Sequence, residues 1–202
     1  MQLKLSGNMS RKFDTNKFIN DVLNDKYALV VGNEIILNKD IEVSGDVHQF
    51  LLRKVNEIYG TKYIAYEDIA LDKSERINPV RKLIENHEIQ FCAEAVSKEL
   101  IDLLNIRLFN IVLTTTTDGF LEAAMRKVWG NELRIVNIYD KDSVVDFQKA
   151  YKACRRGARY NQPTLIYVFG KMCENDLTKK YIRTDSDAIL LIEKWMRMDV
   201  ES

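Results

Sequence analysis

Three short segments of polar residues or glycine each follow an apolar run that is typical of a buried strand. The segments are Gly32-Asn33-Glu34, Thr114-Thr115-Thr116-Thr117-Asp118 and Phe169-Gly170-Lys171. The second segment places four hydroxyls and a carboxylate before a predicted helix, whose free N–H groups would favour an anionic ligand. Because ligands of open parallel sheets bind beyond the carboxyl ends of the strands, the three segments predict a nucleotide-binding edge.

A purely structural interpretation of the same residues remains open. A Thr run before a helix is also typical of a β-branched strand end that is followed by a helix cap. Glycines that end strands often serve only as turn residues. The chain contains neither G-x-G-x-x-G nor G-x-x-x-x-G-K-[ST], which are the two standard phosphate-binding signatures.

The order of the predicted elements favours an α/β fold, a doubly wound, Rossmann-like parallel sheet with helices on both faces. Strands are predicted at 27–32, 109–115, 133–138 and 163–170. Helices are predicted at 16–24, 47–59, 79–86, 93–104, from 118 or 119 to 128, 143–154 and 186–197. Residues 1–13 are predicted to be a loose N-terminal segment and residues 14–202 a single domain.

The composition excludes several classes of function. Thirty basic residues balance thirty acidic ones, whereas a protein that binds mainly nucleic-acid phosphate usually has a basic excess. No apolar run resembles a signal peptide or approaches the roughly 20 residues of a membrane span. The three separated cysteines, Cys92, Cys154 and Cys173, fit a reducing compartment and lack the paired spacing of a zinc site. We therefore expect a cytoplasmic protein without zinc.

Taken together, the strand ends resemble the zinc-less, prokaryotic branch of the sirtuin-like family. The family's G-A-G-I-S loop aligns with residues 32–36, its T-[TQ]-N-x-D motif with 114–118, and its H-G pair with Phe169-Gly170. The positions that match these motifs are Gly32, Ile35, Thr114, Asp118 and Gly170. The resemblance implies a pocket for NAD or ADP-ribose that would be formed by Gly32, Asn33, Thr114, Thr115, Thr116, Asp118 and Gly170.

The departures from the family motifs concern the residues that would carry the chemistry. Glu34 replaces a glycine of the phosphate loop, and its carboxylate would repel a pyrophosphate. Thr116 stands at the position of the family's asparagine. Phe169 stands at the position of the catalytic histidine, and a phenyl ring cannot accept a proton. These substitutions argue against deacetylation and NAD hydrolysis.

The resemblance and its departures together predict a non-catalytic sirtuin-like module with a vestigial NAD or ADP-ribose pocket. Such a module would serve sensing or assembly in a multidomain prokaryotic protein, and the resemblance implies a role in defence against phage. We expect it to associate with itself or with a following domain, since residues 199–202 resemble a boundary cut from a longer chain.

An active NAD glycohydrolase with a rearranged site is the alternative. In that hypothesis Asp118, with Glu34 or His48, replaces the missing asparagine and histidine. It requires Glu34 and Asp118 to face one pocket, and it fails if Phe169 and Ile36 fill that pocket. A third interpretation is an unrelated interaction domain with a nucleotide-binding fold.

Overall fold

The computed structural model describes residues 14–24, 28–71, 79–154 and 160–172. Their sheet contains four strands, which all pair in parallel: β1 (Leu29–Val31), β2 (Ile111–Thr114), β3 (Arg134–Asn137) and β4 (Thr164–Tyr167). Their order across the sheet is β1-β2-β4-β3. The predicted α/β, Rossmann-like class is therefore confirmed, and each observed strand lies within the range that was predicted for it.

Seven helices and three short 3-10 turns connect or flank these strands within the described ranges. The helices are α1 (Thr15–Leu23), α2 (Val47–Tyr59), α3 (Tyr66–Leu71), α4 (Pro79–Glu85), α5 (Lys98–Asn105), α6 (Phe120–Trp129) and α7 (Lys141–Cys154). The bounds of α2 match the prediction because both ends are marked in the sequence. Asp46 caps its first turn, and Gly60 adopts the left-handed conformation (φ 66°) that ends it. The sequence pattern predicts no helix at the position of α3.

The direction of the crossovers places helices on both faces of the sheet. The connections from β1 to β2 and from β2 to β3 advance in one direction, and the connection from β3 to β4 returns. Since crossovers between parallel strands are right-handed, α2 to α6 lie over one face and α7 over the other. The main core forms under α6, where five sheet side chains are fully buried: Val31, Val112, Thr114, Leu165 and Tyr167.

The predicted helix at 93–104 is wrong in its first half. Val96 is extended (ψ 146°) and forms an isolated antiparallel bridge with Leu37. Residues 93–95 form only a short 3-10 turn, and the N–H group of Ser97 donates to the Ile36 carbonyl in the loop after β1 at 2.6 Å. The helix therefore begins only at Lys98.

The apolar pattern of residues 47–59 also predicts an inward-facing Ile58, and this is wrong: the side chain is 40% exposed and lies outside the buried cluster. The loose segment 1–13 and the helix predicted at 186–197 lie outside the described residues. Within the described ranges, no helix combines the length and apolar character needed to cross a bilayer.

Candidate functional site

The sheet brings the three predicted segments to one edge. β2 lies between β1 and β4, and because all strands run in parallel their carboxyl ends point the same way. The Thr115 N–H donates to the Val31 carbonyl at 3.2 Å, and the Met172 N–H donates to the Thr117 carbonyl at 2.8 Å. A Cβ atom on Gly32 would lie 3.7 Å from Thr115 Oγ1. Gly32, the Thr run and the turn that contains Gly170 are therefore neighbours, as the sequence predicts.

The end of β2 is occupied by a chain of buried hydrogen bonds. Thr114 Oγ1 lies 3.3 Å from the Val31 carbonyl oxygen and 3.0 Å from Thr116 Oγ1. The Thr116 hydroxyl in turn bonds to the Asp118 side chain. Asp118 Oδ1 accepts the backbone N–H of Phe120 at 2.9 Å, which closes the turn into α6. This series of hydrogen bonds links β1 to the first residue of α6. The hydroxyls of Thr114 and Thr116 take part in it, so they are less available to a ligand.

Asp118 is only 3% exposed, and its environment favours the protonated acid. Burial raises the pKa of its carboxyl group, because an apolar interior disfavours the charged form. The hydrogen bonds from the Phe120 N–H and the Thr116 hydroxyl, together with the nearby His48, oppose this shift without cancelling it. A buried acid with a raised pKa can store a proton, yet this one already accepts the backbone N–H of the first residue of α6.

A second buried carboxylate, Glu122, was missed by the sequence analysis. Its Oε2 lies 2.7 Å from Lys171 Nζ and 3.2 Å from the Tyr167 hydroxyl, and its Oε1 lies 2.9 Å from Arg126 Nε. The Tyr167 hydroxyl also donates to the Asp118 carbonyl oxygen at 3.0 Å. These four side chains, Glu122, Arg126, Tyr167 and Lys171, form what we call the Glu122 cluster, which ties α6 to the end of β4.

Within the Glu122 cluster, the pKa of Glu122 is lowered and the pKa of Tyr167 is raised. Burial alone would raise the pKa of Glu122, but the hydrogen bonds and charges of Lys171 and Arg126 outweigh it and lower the pKa below its usual value. Burial raises the pKa of Tyr167 well above its ordinary value, with the negative charge of Glu122 acting in the same direction. The spacing of Glu122 and Arg126, four residues apart on one helix, was the available sequence signal; nothing in the sequence placed Lys171 beside them.

The end of β1 differs from the end of β2. Glu34 is exposed in a 3-10 turn, while Asp118 is buried. Asn33 turns its side chain back into the protein, where Nδ2 donates to Asp46 Oδ1 at 3.1 Å. Ile36 is fully buried in the main core, and Phe169 is half-buried. In the predicted phosphate loop, the side chains of Asn33 and Ile36 therefore stabilise the fold, and the side chain of Glu34 faces solvent.

His48 lies near Asp118, as the pKa of Asp118 indicates. It sits in the first turn of α2 and is half-buried. Its ring stacks on the ring of Tyr66, with centroids 4.2 Å apart and planes 5° from parallel. Of the two partners that the sequence offered for Asp118, the electrostatics of the fold favour His48 over the exposed Glu34.

Within the described residues, every buried polar side-chain atom has a hydrogen-bond partner. In the same part of the chain, no group of three or more His, Cys, Asp or Glu residues is arranged to hold a metal ion. A shallow cleft lies at the far end of α2, and the residues that line it are Tyr59, Thr61, Tyr63, Pro79 and Lys82. None of the predicted site residues lines this cleft.

A scan against protein-family models finds no match to this chain, and no curated protein matches it significantly.

Proposed function

We propose that this domain is a non-catalytic, sirtuin-like module with at most a vestigial NAD or ADP-ribose pocket. One observation carries the proposal: the hydroxyls and the carboxylate at the end of β2 bond to the protein itself. Thr114 is fully buried, Thr116 is 1% exposed and Asp118 is 3% exposed, and all three have partners. Side chains with satisfied bonds offer little to a ligand, because binding would first have to break those bonds.

The remaining candidate positions support the same proposal. A general base must reach the proton that it removes, and Asp118 is committed to the start of α6. Phe169, at the position of the family's histidine, has no group that could accept a proton. Glu34 is an exposed carboxylate in the loop that would face a pyrophosphate, where it would repel the ligand.

The resemblance supplies the wider setting of this proposal. The module would contribute sensing or assembly to a larger prokaryotic protein, through self-association or through a following domain, and a role in phage defence belongs to the same proposal. We propose a cytoplasmic site of action, for which the reduced state expected of the three cysteines is the support.

Calorimetric titration with NAD and with ADP-ribose tests the proposal, followed by chromatography of the NAD mixture for nicotinamide. We expect weak or no binding and no nicotinamide release. Asp118→Asn and the exposed control Glu34→Ala are measured in parallel. Nicotinamide release by the parent chain that is lost in Asp118→Asn would overturn the proposal, and its retention or loss in Glu34→Ala would show whether Glu34 takes part.

One observation favours the alternative, an NAD glycohydrolase with a rearranged site. Burial raises the pKa of Asp118, and His48 lies close enough to influence it. Acids with raised pKa values beside a second titratable group are typical of acid–base sites. In this alternative Asp118 acts as the acid and His48 as its partner. It requires measurable nicotinamide release that falls in both Asp118→Asn and His48→Gln.

A further inference from the structure

The turn that follows β4 lies across the connection from β2 to α6. The Met172 N–H donates to the Thr117 carbonyl at 2.8 Å, and Lys171 Nζ lies 2.7 Å from Glu122 Oε2. Thr117 precedes α6, and Glu122 lies in its first turn. Residues 170–172, which we call the β4 strap, therefore cover this connection from the side of β4.

The loop after β1 reaches the end of β2 from the other side, and it is built into the core. Ile36 and Leu37 are at most 1% exposed and belong to the main hydrophobic cluster. Leu37 also pairs with Val96, and the Ile36 carbonyl accepts the Ser97 N–H. Because displacing fully buried side chains would leave a void in the core, this loop forms a fixed cover.

The β4 strap is held by contacts of a different kind. Its single apolar side chain, Met172, is 3% exposed and belongs to the main cluster. The Lys171 side chain is 29% exposed, so water can reach its ion pair with Glu122. Gly170 precedes both residues in the left-handed conformation (φ 83°), which glycine adopts and leaves at little cost. A segment that combines a glycine turn with a partly exposed ion pair can open locally while the sheet stays folded.

We propose that the β4 strap closes the end of β2 to ligands and opens locally, with Gly170 as its hinge. Opening breaks the hydrogen bond of Met172 and the ion pair of Lys171, and it uncovers the turn that carries Thr117 and Asp118. This regulation rests on the proposed nucleotide pocket, because the ligand that the strap excludes would be NAD or ADP-ribose. A pocket that is open only part of the time binds its ligand weakly, in proportion to the open fraction.

Amide hydrogen exchange, followed by NMR on the full chain, tests local opening without a ligand. The Met172 N–H reports on the strap, and the Val168 N–H, which donates to the Thr114 carbonyl at 3.0 Å, reports on the adjacent sheet. We expect Met172 to exchange faster than Val168 and to be insensitive to low urea, since local opening exposes little surface.

Two variants remove the ion pair of the strap from its two sides, Lys171→Gln and Glu122→Gln. Both should speed exchange at Met172 about fivefold, the effect of losing a partly exposed ion pair. The matched control is Glu94→Gln, which removes the 2.9 Å ion pair between Glu94 and Lys127, outside the strap. It should leave exchange at Met172 unchanged, because that ion pair stays intact when the strap opens.

Titration with ADP-ribose to millimolar concentration, followed by the same NMR signals, tests whether the open strap admits the ligand. Glu122→Gln loosens the strap and keeps the Lys171 ammonium, so its affinity should exceed that of the parent chain by the same factor, about fivefold. The control Glu94→Gln should bind as the parent does. Circular dichroism verifies that each variant is folded, and Lys171→Gln replaces Glu122→Gln in the titration if the latter unfolds.

Exchange at Met172 with the rate and the urea dependence of Val168 would overturn the proposal, because the strap would then open only with the sheet. Unchanged exchange at Met172 in both strap variants would also overturn it. Faster exchange without any gain in ADP-ribose binding would show that the strap does not close a nucleotide pocket, and the proposed non-catalytic module would stand. Nicotinamide release by the parent chain would instead contradict the proposed function.

Discussion

The ends of β1 and β2 lie side by side, yet the polar residues that follow β1 are exposed, whereas those that follow β2 are buried. After β1, Glu34 points to solvent and Ile35 is 58% exposed. After β2, Thr114, Thr116 and Asp118 are almost completely buried and bond to one another or to the backbone. Both segments attracted attention in the sequence for the same reason, their polar residues at a strand end. The comparison teaches that residue type does not reveal whether a polar group is available to a ligand.

The position of each strand in the sheet explains the difference. β2 lies between two neighbours, and the loops after β1 and β4 both contact its end. β1 has one partner strand among the described residues, so the loop that follows it faces solvent on one side. A polar group surrounded by other chain segments must find its hydrogen bonds within the protein, because a buried group without a partner is costly.

The largest effect is expected from removing the carboxylate of the Glu122 cluster. Glu122→Ala leaves the buried Tyr167 hydroxyl and the partly buried Lys171 ammonium without their shared acceptor. We expect a loss of about 1.5–3 kcal/mol in the free energy of unfolding, the usual contribution of hydrogen bonds to a charged group. Urea denaturation measures it. A loss below about 0.5 kcal/mol, the level of an ordinary surface change, would contradict the described burial.

Gly119→Ala should have the next largest effect. A Cβ atom at this position would lie 2.6 Å from Cδ2 of the Phe91 ring, so the ring or the start of α6 must shift. Overpacking of this kind costs about 1–3 kcal/mol. Gly60→Asn, at the exposed end of α2, is the control, because no atom lies within 4 Å of the added Cβ and Asn tolerates the left-handed conformation. Thermal unfolding of both variants compares the two sites.

Asp118→Asn should give a smaller effect whose size depends on pH. The amide oxygen can still accept the Phe120 N–H, but the side chain no longer titrates. Because burial raises the pKa of Asp118 in the folded state, ionisation destabilises the parent chain above that pKa. At neutral pH the variant should equal or exceed the parent in stability. As the pH falls through the raised pKa towards the ordinary value of 3.8, the stability of the parent chain should increase relative to that of the variant.

Glu122→Gln should show the opposite pH dependence of stability in the same experiment. The lowered pKa of Glu122 stabilises the parent chain above the ordinary value of 4.5, and this stability is lost as the pH falls through the folded-state pKa. The deficit of Glu122→Gln should therefore be largest at neutral pH and shrink in acid. Equal pH profiles for the two variants would show that the two carboxylates do not differ in environment.

The smallest effect is expected at the end of β1. Glu34→Ala removes an exposed side chain, and its free energy of unfolding should stay within about 0.5 kcal/mol of the parent. In calorimetry, any weak ADP-ribose affinity should rise in this variant, because a repelling charge is gone. A large loss of stability would mean that the loop after β1 depends on this carboxylate.

The sequence predicted the features that depend on local pattern. The apolar runs at 29–31 and 164–167 became strands, and Asp46 and Gly60 mark the two ends of α2. It failed where a distant segment decided the outcome. Val96 was predicted to be helical but forms a β-bridge with Leu37. The ion pair between Lys171 and Glu122, which lie far apart in the sequence, was not predicted.

The candidate site divides along the same line. The alternation of strands and helices was enough to predict that Gly32, the Thr run and Gly170 share one edge. It could not predict that Thr116 and Asp118 would bond inside the protein, because burial depends on the loops after both neighbouring strands. The same residues, 114–118, are compatible with a strand end followed by a helix and with a nucleotide-binding segment. The sequence alone therefore does not distinguish the two interpretations.

The carboxylate of Asp46 has a consequence for how proteases would act on the chain. Its Oδ1 accepts the N–H groups of His48 and Gln49 at the start of α2 and the side-chain amide of Asn33 at the start of the loop. Cleavage after the exposed Lys39 requires the chain around it to open locally, which would release Asn33 from Asp46 and break the hydrogen bond between Leu37 and Gly45. Trypsin should therefore cut at Lys39 slowly, and Asp46→Ala should speed that cut by loosening the loop and the helix end together.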